Sequence, residues 1–250
     1  MKVSGCVVTY NNIDVIEDCI ESVLQCTKNV DFQLYVVDNG STDGTRELIK
    51  RKYENVKLIE NEKNSGFGEG HNKVVSLIDS EYHVIINPDI KLESDVISTL
   101  CGFMAKHENV AMVTPKILNE DKSEQYLPKY CPTIRYVIIS KFKPFQYLRR
   151  QYTRQDESFE KPVKIEFSTG CFSVVRTALF KELEGFDSRF FMYCEDADLS
   201  RRVRKKGYIV FYPDVSVIHR WERENTRSLK GVIRFMSSLT KYFLKWGIKF

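Results

Sequence analysis

The sequence lacks any run of about 18 consecutive apolar residues, the length that a membrane-spanning helix needs. This absence excludes a transmembrane helix from the 250 residues. The first residues, MKVSGCVVTY, predict a β-strand and do not have the charged head and long apolar stretch of a secretory signal peptide. We therefore expect a cytoplasmic protein whose contact with a membrane, if it has one, is peripheral and at the inner face of the cell membrane.

Paired cysteines are also missing. The seven cysteines show no CxxC motif and no regular spacing. An odd number of cysteines in a chain of this size favours reduced thiols over a disulfide framework, and the lack of CxxC pairs argues against a structural zinc site.

Strong charge of one sign is absent too, because the net charge is only +4. A charge this small does not by itself indicate nucleic-acid binding.

Segments with strand and helix periodicity alternate through the first 115 residues. Predicted strands cover 2–9, 32–37, 56–60, 82–86 and 110–114. Predicted helices cover 14–27, 42–53, 69–78 and 94–107. This alternation predicts βαβ units and an α/β fold, in which helices flank a mixed, mainly parallel sheet.

The pattern changes after residue 115. Residues 116–164 contain four of the seven prolines and predict irregular structure that closes over one side of the sheet. Regular elements then return, as a strand at 164–175, a helix at 177–183, a helix that begins near the acidic cluster 195–198, and a strand at 208–212.

Polar clusters follow four of the predicted strands. The clusters are Thr9-Tyr10-Asn11-Asn12, Asp38-Asn39-Gly40-Ser41, Asn64 to Gly70, and Asn87-Pro88-Asp89. In parallel sheets ligands bind at the carboxyl ends of the strands. We therefore expect the four clusters to share one edge of the sheet and to form a binding site there.

Three of these clusters have both a structural and a functional interpretation. Turn and helix-cap chemistry accounts for residues 39–44 but leaves Asp38, whose carboxylate can accept the imide N–H of uracil or thymine. Gly66 and its neighbours Gly68 and Gly70 suit either a flexible loop or a backbone that approaches a phosphate before a helix. Asp89 belongs either to a simple turn or to a site for a hard divalent cation on a diphosphate.

Two further features lie near the end of the chain. Glu195 and Asp196 at a helix start, with basic residues at its end, suit the helix dipole, yet a carboxylate there can also act as a general base. A lone histidine such as His219 is more often structural than a ligand. A role for it as a metal ligand requires that it reach Asp89.

Taken together, these clusters resemble the family 2 glycosyltransferases with the Rossmann-like GT-A fold. The matching segments are VVTYNN, VVDNGSTDGT, NSGFGEGHN, INPDI, GFDSRFFMYCEDADLSRR and YPDVSVIH, between residues 3 and 219. The NPD form and the FDxxFFxYxEDxDL run resemble the rhamnosyltransferase-like branch. The resemblance implies a GT-A domain over 1–218, with a nucleotide-sugar-binding half at 1–115 and an acceptor-side half at 116–218.

The resemblance also implies roles for individual residues. Asp196 would be the general base with Glu195 beside it, and Asp38 would contact the pyrimidine. Asp89, at the last position of a DxD-like motif, would bind Mg²⁺ or Mn²⁺, and His219 would be a further metal or diphosphate contact. The other nucleotide-binding residues would be Thr9, Tyr10, Asn11, Gly66, Asn72 and Asn87. Asn87 replaces the first acid of the DxD-like motif, which leaves one carboxylate fewer for the cation.

The implied activity is an inverting transfer from a dTDP- or UDP-linked sugar to a saccharide or lipid-linked saccharide in bacterial surface polysaccharide synthesis. The resemblance favours L-rhamnose from dTDP-rhamnose, and a UDP-sugar-dependent hexosyl- or galactofuranosyltransferase is the alternative. A sugar nucleotidyltransferase would need a Gly-rich basic loop after the first strand, which TYNN lacks. A non-catalytic nucleotide-binding protein is another alternative. A nucleic-acid-binding module at 141–154 would not need Asp38, Asp89 and Asp196, and we expect no nucleic-acid partner.

The last segment, 219–250, predicts a basic amphipathic helix. From residue 229 onward it mixes Lys and Arg with aromatic and aliphatic residues. Two interpretations stay open: a helix packed on the domain, or an interfacial helix on an anionic membrane. The second would suit a lipid-linked acceptor.

Overall fold

The computed structural model describes residues 1–126, 129–220 and 229–248, with nine strands in these ranges. The strands are β1 (Lys2–Thr9), β2 (Asp31–Asp38), β3 (Lys57–Glu60), β4 (Tyr82–Ile86), β5 (Ile90–Lys91), β6 (Val110–Leu118), β7 (Val163–Ile165), β8 (Phe172–Arg176) and β9 (Tyr208–His219). The α-helices are α1 (Ile16–Cys26), α2 (Thr45–Lys52), α3 (Phe67–Asn72), α4 (Val96–Lys106), α5 (Ile134–Val137), α6 (Tyr147–Tyr152), α7 (Thr177–Glu182), α8 (Glu195–Val203) and α9 (Leu229–Trp246).

All of these strands belong to one mixed sheet, in the order β3-β2-β1-β4-β8-β6-β9-β5, with β7 on β9. Strands β1 to β4 are parallel, as are β6 and β9. Strand β8 is antiparallel to both β4 and β6, and β5 is antiparallel to β9. The predicted α/β fold is confirmed, and both of the predicted halves contribute strands to the same sheet.

Apolar side chains cover both faces of the sheet because successive residues of a strand point to opposite sides. In β4, Val84 and Ile86 face a core shared with α1, α2 and α4, and Ile85 faces a core shared with α7 and α8. A third, smaller cluster joins α8 to α9 and includes Ala197, Leu239 and Tyr242. This last cluster brings the C-terminal helix against the helix that begins with Glu195.

Two predicted elements differ from the structure in ways that affect the site. The strand predicted at 164–175 is two strands, β7 and β8, separated by a segment that includes Ser168 and Thr169 and turns at Gly170. The strand predicted at 208–212 continues as β9 through the Pro213-Asp214 segment to His219. A register shift at Pro115/Lys116 lets β6 and β9 stay paired along this length, since a bulge absorbs the irregular residues.

The remaining differences concern helices. The helix predicted at 69–78 is only α3, followed by turns, and the region 116–164 contains α5 and α6 as well as irregular structure. Helix α9 confirms the predicted helix in the last segment, whose residues 221–228 and 249–250 lie outside the described residues. No helix in the described ranges is long and apolar enough to cross a membrane.

Candidate active site

The predicted nucleotide-binding residues of the first two strands lie side by side. Thr9 and Asp38 are register partners at the ends of the parallel strands β1 and β2. Two hydrogen bonds join the loops that follow these strands. Asn11 Oδ1 accepts from the backbone amide of Thr42 at 2.8 Å, and the backbone amide of Asn11 donates to Ser41 Oγ at 2.9 Å. The first two of the four predicted clusters therefore lie at the same edge of the sheet, and Tyr10 is exposed there.

Asp38 is fully buried, with one carboxylate oxygen saturated and the other without a partner. Oδ2 accepts hydrogen bonds from the amides of Gly40 and Ser41 and from Arg46 Nε at 3.0 Å. Oδ1 is buried and makes no hydrogen bond with the described residues. A buried acceptor without a donor is unfavourable. Asp38 therefore retains one acceptor for an N–H of a ligand, such as the imide N–H of a pyrimidine.

Asp89 and His219 meet, as the metal-ligand hypothesis requires. The chain turns at Asn87 and enters β5, whose Ile90 pairs with His219 at the end of β9. This pairing leaves His219 Nε2 at 3.3 Å from Asp89 Oδ1 and 3.4 Å from Asn87 Nδ2. Two sheet segments distant in sequence thus bring the imidazole to the NPD turn.

The hydrogen bonds of Gln125 determine which nitrogen of His219 carries the hydrogen. The Gln125 amide nitrogen donates to two carbonyl oxygens, of His219 and of the Asn119 side chain, so its Oε1 faces the ring. This oxygen lies 2.9 Å from His219 Nδ1. Since Oε1 can only accept, Nδ1 must donate, and in the neutral ring Nε2 then carries a lone pair directed toward Asp89.

A cation fits this arrangement. Asp89 Oδ1 and His219 Nε2 lie 3.3 Å apart, which is close enough for both atoms to contact one cation. No group of three or more His, Cys, Asp or Glu side chains in the described ranges is placed to hold a metal. Mg²⁺ and Mn²⁺ accept few protein ligands together with water and phosphate oxygens, which suits this pair.

The glycine loop and Asn72 hold the chain that leads into α8. Gly66 has φ +94, and a Cβ there would lie 2.2 Å from the Phe191 carbonyl oxygen. The next amide, of Phe67, donates to that same oxygen at 3.1 Å. The side chain of Asn72 makes two hydrogen bonds with the backbone of Phe186, each 2.8 Å long. Its Nδ2 donates to the Phe186 carbonyl, and its Oδ1 accepts from the Phe186 amide. The structure thus gives Gly66 and Asn72 a structural task, and their part in nucleotide binding stays a prediction.

Asp196 lies at the start of α8 against the turn between β7 and β8. Its Oδ2 accepts from the Gly170 amide at 3.2 Å and its Oδ1 from the Ala197 amide at 2.8 Å. The side chain of Asp196 is partly exposed, whereas Glu195 is buried with Oε2 lacking a partner among the described residues. Of the two carboxylates, Asp196 is the one that a substrate hydroxyl can reach.

Burial and mutual repulsion divide the protonation of the two acids. Burial, followed by the charge of Asp196, raises the pKa of Glu195 well above its usual range. Burial also raises the pKa of Asp196, but the amides of Gly170 and Ala197 and the charge of Lys129 oppose the rise. Because Glu195 has no comparable donors, it takes up the proton of the pair. Asp196 is then the ionised member, as a general base must be.

Several residues of the site were not found by sequence reasoning. Asn39 holds the glycine loop by donating to the Gly66 carbonyl at 3.0 Å, and Arg46 neutralises Asp38. Three more residues reach the site from elsewhere. Gln125 and Lys129 belong to the segment 116–164, which was predicted to be irregular, and Gly170 lies within the single strand predicted at 164–175. Asn39 and Arg46 lie in or near a cluster already singled out, and that proximity was a usable signal. The others had none, since only the tertiary structure brings them close.

The fold and site define a class: an α/β protein with polar clusters at the ends of parallel strands and an acid pair at the start of α8, of which Glu195 is buried. The chain belongs to Glycosyl transferase family 2, whose pattern matches residues 4–184. It is therefore a glycosyltransferase, which sets aside the nucleotidyltransferase and non-catalytic alternatives. The resemblance stated from the sequence motifs is confirmed.

Two curated relatives are rhamnosyltransferases. The N-acetylglucosaminyl-diphospho-decaprenol L-rhamnosyltransferase of Mycobacterium tuberculosis is 27% identical over 229 residues, which are 85% of this chain and 74% of the relative. The rhamnosyltransferase WbbL of Escherichia coli K12 is 26% identical over 188 residues, 72% of this chain and 70% of the relative. These similarities agree with the rhamnosyltransferase-like branch of the family.

Solved structures share the fold. The mannosyltransferase PcManGT of Pyrobaculum calidifontis, in complex with GDP-Man and Mn²⁺, has a TM-score of 0.66 at 17% identity. The alignment covers 98% of this chain and 63% of the mannosyltransferase. GalNAc-T7 with UDP, GalNAc and Mn²⁺ has a TM-score of 0.70 at 14% identity, over 98% of this chain and 48% of that one. At these identities the likeness establishes the GT-A fold alone.

Proposed function

We propose that this protein transfers L-rhamnose from dTDP-rhamnose to a hydroxyl of a lipid-linked saccharide, with inversion at the anomeric carbon. The observation that carries the proposal is the partly exposed Asp196 carboxylate, held by the Gly170 amide beside a buried Glu195. Two rhamnosyltransferase relatives support the choice of sugar. The mycobacterial relative supports the acceptor class, since its name gives a saccharide on a diphospho-lipid.

In the proposed reaction Asp196 acts as the base. The acceptor oxygen forms a bond to the anomeric carbon while the bond from that carbon to the diphosphate oxygen breaks. The nucleoside diphosphate leaves with the bonding electron pair, and Asp196 takes the hydroxyl proton in the same step. Attack opposite the leaving group inverts the anomeric carbon. Glu195 does not compete for the proton, because it is the protonated member of the pair.

The donor is proposed to bind along the edge formed by β1, β2 and β4. Asp38 Oδ1 would accept the imide N–H of thymine or uracil, which would satisfy an acceptor that is otherwise buried without a donor. The exposed ring of Tyr10 would stack on the base, positioned by Thr9 and Asn11 in the loop that Ser41 holds. Asn87 would lie beside the diphosphate.

Asp89 and His219 are proposed to hold Mg²⁺ or Mn²⁺ on that diphosphate. When bound, the cation would offset the negative charge that develops on the leaving group. Two observations support the choice: the 3.3 Å distance between these side chains, and the Mn²⁺ in the two solved structures of the same fold. The missing carboxylate at Asn87 predicts weak binding of the cation in the absence of nucleotide.

The acceptor class implies contact with the inner face of the membrane, and α9 is the proposed contact. Val232, Ile233 and Met236 are exposed apolar side chains on this helix. The sequence from residue 229 to residue 250 contains no acid and five basic residues. Sedimentation with anionic and with neutral vesicles tests this contact. Binding to the anionic vesicles alone, reduced by salt, is expected.

The decisive experiment combines binding and turnover. Calorimetric titrations with dTDP and UDP, each with and without Mn²⁺, should show metal-dependent binding that prefers dTDP. Release of dTDP from dTDP-rhamnose in the presence of a lipid-linked saccharide should then be lost in Asp196→Asn, while the affinity for dTDP stays within about threefold. Preference for UDP would replace rhamnose by the UDP-sugar alternative, and near-normal turnover by the Asp196 variant would refute the assignment of the base.

A further inference from the structure

An open groove lies between α9 and the chain that leads into α8. Its volume is about 320 Å³, and it is lined by Phe191, Met192, Ile233, Arg234, Ser237, Ser238 and Lys241. None of these lining residues is acidic. The donor site, at the ends of β1, β2 and β4, uses none of them. The groove is therefore a second concave surface, and its charge is positive.

The two cations of the groove project from one side of α9. Arg234 and Lys241 are seven positions apart, and Ser237 and Ser238 lie between them at helical spacing, so these side chains share a face. The Arg234 guanidinium lies 5.1 Å from the Phe191 ring centroid, which holds its position through a cation–π contact. Lys241 Nζ donates to the Arg189 carbonyl at 2.7 Å and keeps two further N–H donors.

Within the described ranges, the acids near the groove do not neutralise these cations. Asp187, the acid that precedes the groove in sequence, already pairs with Arg189 and with Lys245 at 2.7 Å. Glu195 is buried and takes up a proton. Arg234 and Lys241 thus present donors and positive charge toward the groove. This combination suits a phosphate group, whose oxygens accept several hydrogen bonds at once.

The groove is close to the proposed base and is fixed relative to it. Met192, in its wall, is four residues before Asp196, so the two Cα atoms lie within roughly 14 Å of each other. Ser238 Oγ donates to the Met192 carbonyl at 2.7 Å, and the rings of Tyr193 and Phe235 meet edge to face. A saccharide bound with one end in the groove can therefore present a hydroxyl to Asp196.

We propose that this groove binds the diphosphate of the lipid-linked acceptor, with Arg234 and Lys241 as its ligands. This inference rests on the proposed function and assigns the acceptor a site of its own. Apolar side chains continue beyond the groove on the same helix, where Ile233 and Met236 are 59% and 44% exposed. They would contact the first part of the lipid chain, so that the diphosphate lies between the apolar lipid and the catalytic acids.

The test uses farnesyl diphosphate as a soluble probe, measured by calorimetry with EDTA present so that the cation site does not take part. The wild-type protein should bind the probe, and should bind farnesol and inorganic diphosphate at least tenfold more weakly. Arg234→Gln/Lys241→Gln should weaken probe binding at least tenfold. Arg234→Lys/Lys241→Arg, which keeps both charges, should stay within about threefold of the wild type. Lys106→Gln, on α4, is the matched control and should bind normally.

Two outcomes would overturn the inference. One is unchanged probe binding by the double glutamine variant with a normal thermal unfolding transition. The other is that Arg234→Gln/Lys241→Gln loses binding to phosphatidylglycerol vesicles but keeps its affinity for farnesyl diphosphate. The groove would then contact anionic membrane surfaces in general and would not bind the diphosphate. Titration of each variant with dTDP and Mn²⁺ separates this test from that of the donor site. If the wild-type protein does not bind dTDP, the proposed function is contradicted, and the result for farnesyl diphosphate binding at the groove is still valid.

Discussion

The indole N–H of Trp246 donates to Asp198 Oδ1 at 2.8 Å and joins the end of α9 to the helix that carries Asp196. The Asp198 side chain is fully buried, and its other oxygen accepts from Arg202 Nε at 2.7 Å. Lys245 Nζ adds a third contact at 2.6 Å. A buried carboxylate is stable only when such donors surround it. The C-terminal helix is thus part of the support of the acid pair.

Trp246→Phe should therefore destabilise the protein. The substitution keeps an aromatic ring but removes the donor, so Asp198 loses one hydrogen bond. We expect a loss of about 1.5–3 kcal/mol in the free energy of unfolding, the usual contribution of a hydrogen bond to a charged group, since Lys245 still contacts Oδ1. Urea denaturation measures it, and Leu244→Ala, at a side chain that is 82% exposed, is the control. Equal stability of the two variants would show that this hydrogen bond does not hold the helix.

Glu195→Gln should leave the pH dependence of transfer nearly unchanged. Asp196 must be ionised to accept a proton, so activity falls as the pH drops below its pKa, which burial raises above the ordinary value of 3.8. Glu195 is protonated while Asp196 titrates, so its carboxyl exerts no charge repulsion that glutamine would remove, and Lys129 still stabilises the ionised form of Asp196. The acidic limb of the pH–rate profile should therefore stay at its wild-type position.

The size of the effect on the maximal rate distinguishes the two acids. Because Glu195 is the protonated member of the pair, glutamine resembles it closely, and we expect a loss of less than about tenfold in kcat. Asp196→Asn removes the base and should lower kcat by about 10²–10⁴-fold. If the two substitutions have equal effects on kcat, or if Glu195→Gln moves the acidic limb to lower pH, the division of roles between the acids is wrong.

Gln125→Met should change the tautomer of His219. Without the Oε1 acceptor at 2.9 Å, Nδ1 no longer has its preferred partner, and the Nε2–H form becomes populated. Long-range ¹H–¹⁵N correlation spectra report the tautomer directly, and the sequence contains only four histidines to assign. We expect Mn²⁺ affinity in the presence of nucleotide to fall about 10–100-fold. Gln146→Met, at an exposed position, should leave both measurements unchanged. An unaltered His219 spectrum in the Gln125 variant would contradict the prediction.

Gly66→Ala should destabilise the protein, whereas Gly102→Ala should not. At Gly66 both the φ of +94 and the 2.2 Å approach of the Phe191 carbonyl oppose a side chain. We expect a loss of at least about 1–3 kcal/mol from the strained backbone conformation alone. Gly102 lies inside α4 with no atom within 4 Å of its Cβ position, so alanine there should be neutral or stabilising by about 0.5–1 kcal/mol. Urea denaturation of both variants gives the comparison, and equal midpoints would remove the proposed role of Gly66.

Local patterns predicted the first half of the fold and part of the site. Short runs of apolar and other strand-forming residues identified β1, β2 and β4, and parallel pairing then required that Thr9 and Asp38 lie at the same edge. The acidic helix start at Glu195 and Asp196 was equally visible. These features follow from the periodicity of a few neighbouring residues and from the geometry of parallel strands. The sequence motifs were also sufficient to indicate the family.

The segment from 116 to 164 was beyond such reasoning. Its short helices and its Gln125 and Lys129 contacts have little periodicity, and their positions depend on which faces the rest of the fold leaves uncovered. The groove beside Arg234 and Lys241 is a similar case. The sequence predicted an amphipathic helix there but not which side of it would pack on α8.

The sequence by itself determined which residues end the parallel strands and which acids begin α8, because those depend on local periodicity. Only the tertiary structure decided that His219 would meet the NPD turn, 132 positions from Asn87. That contact requires β9 to run on past Pro213 and to pair with β5, and strand pairing of this kind depends on the packing of the whole sheet. The same long-range packing places Gln125 on the imidazole and α9 against the acid pair.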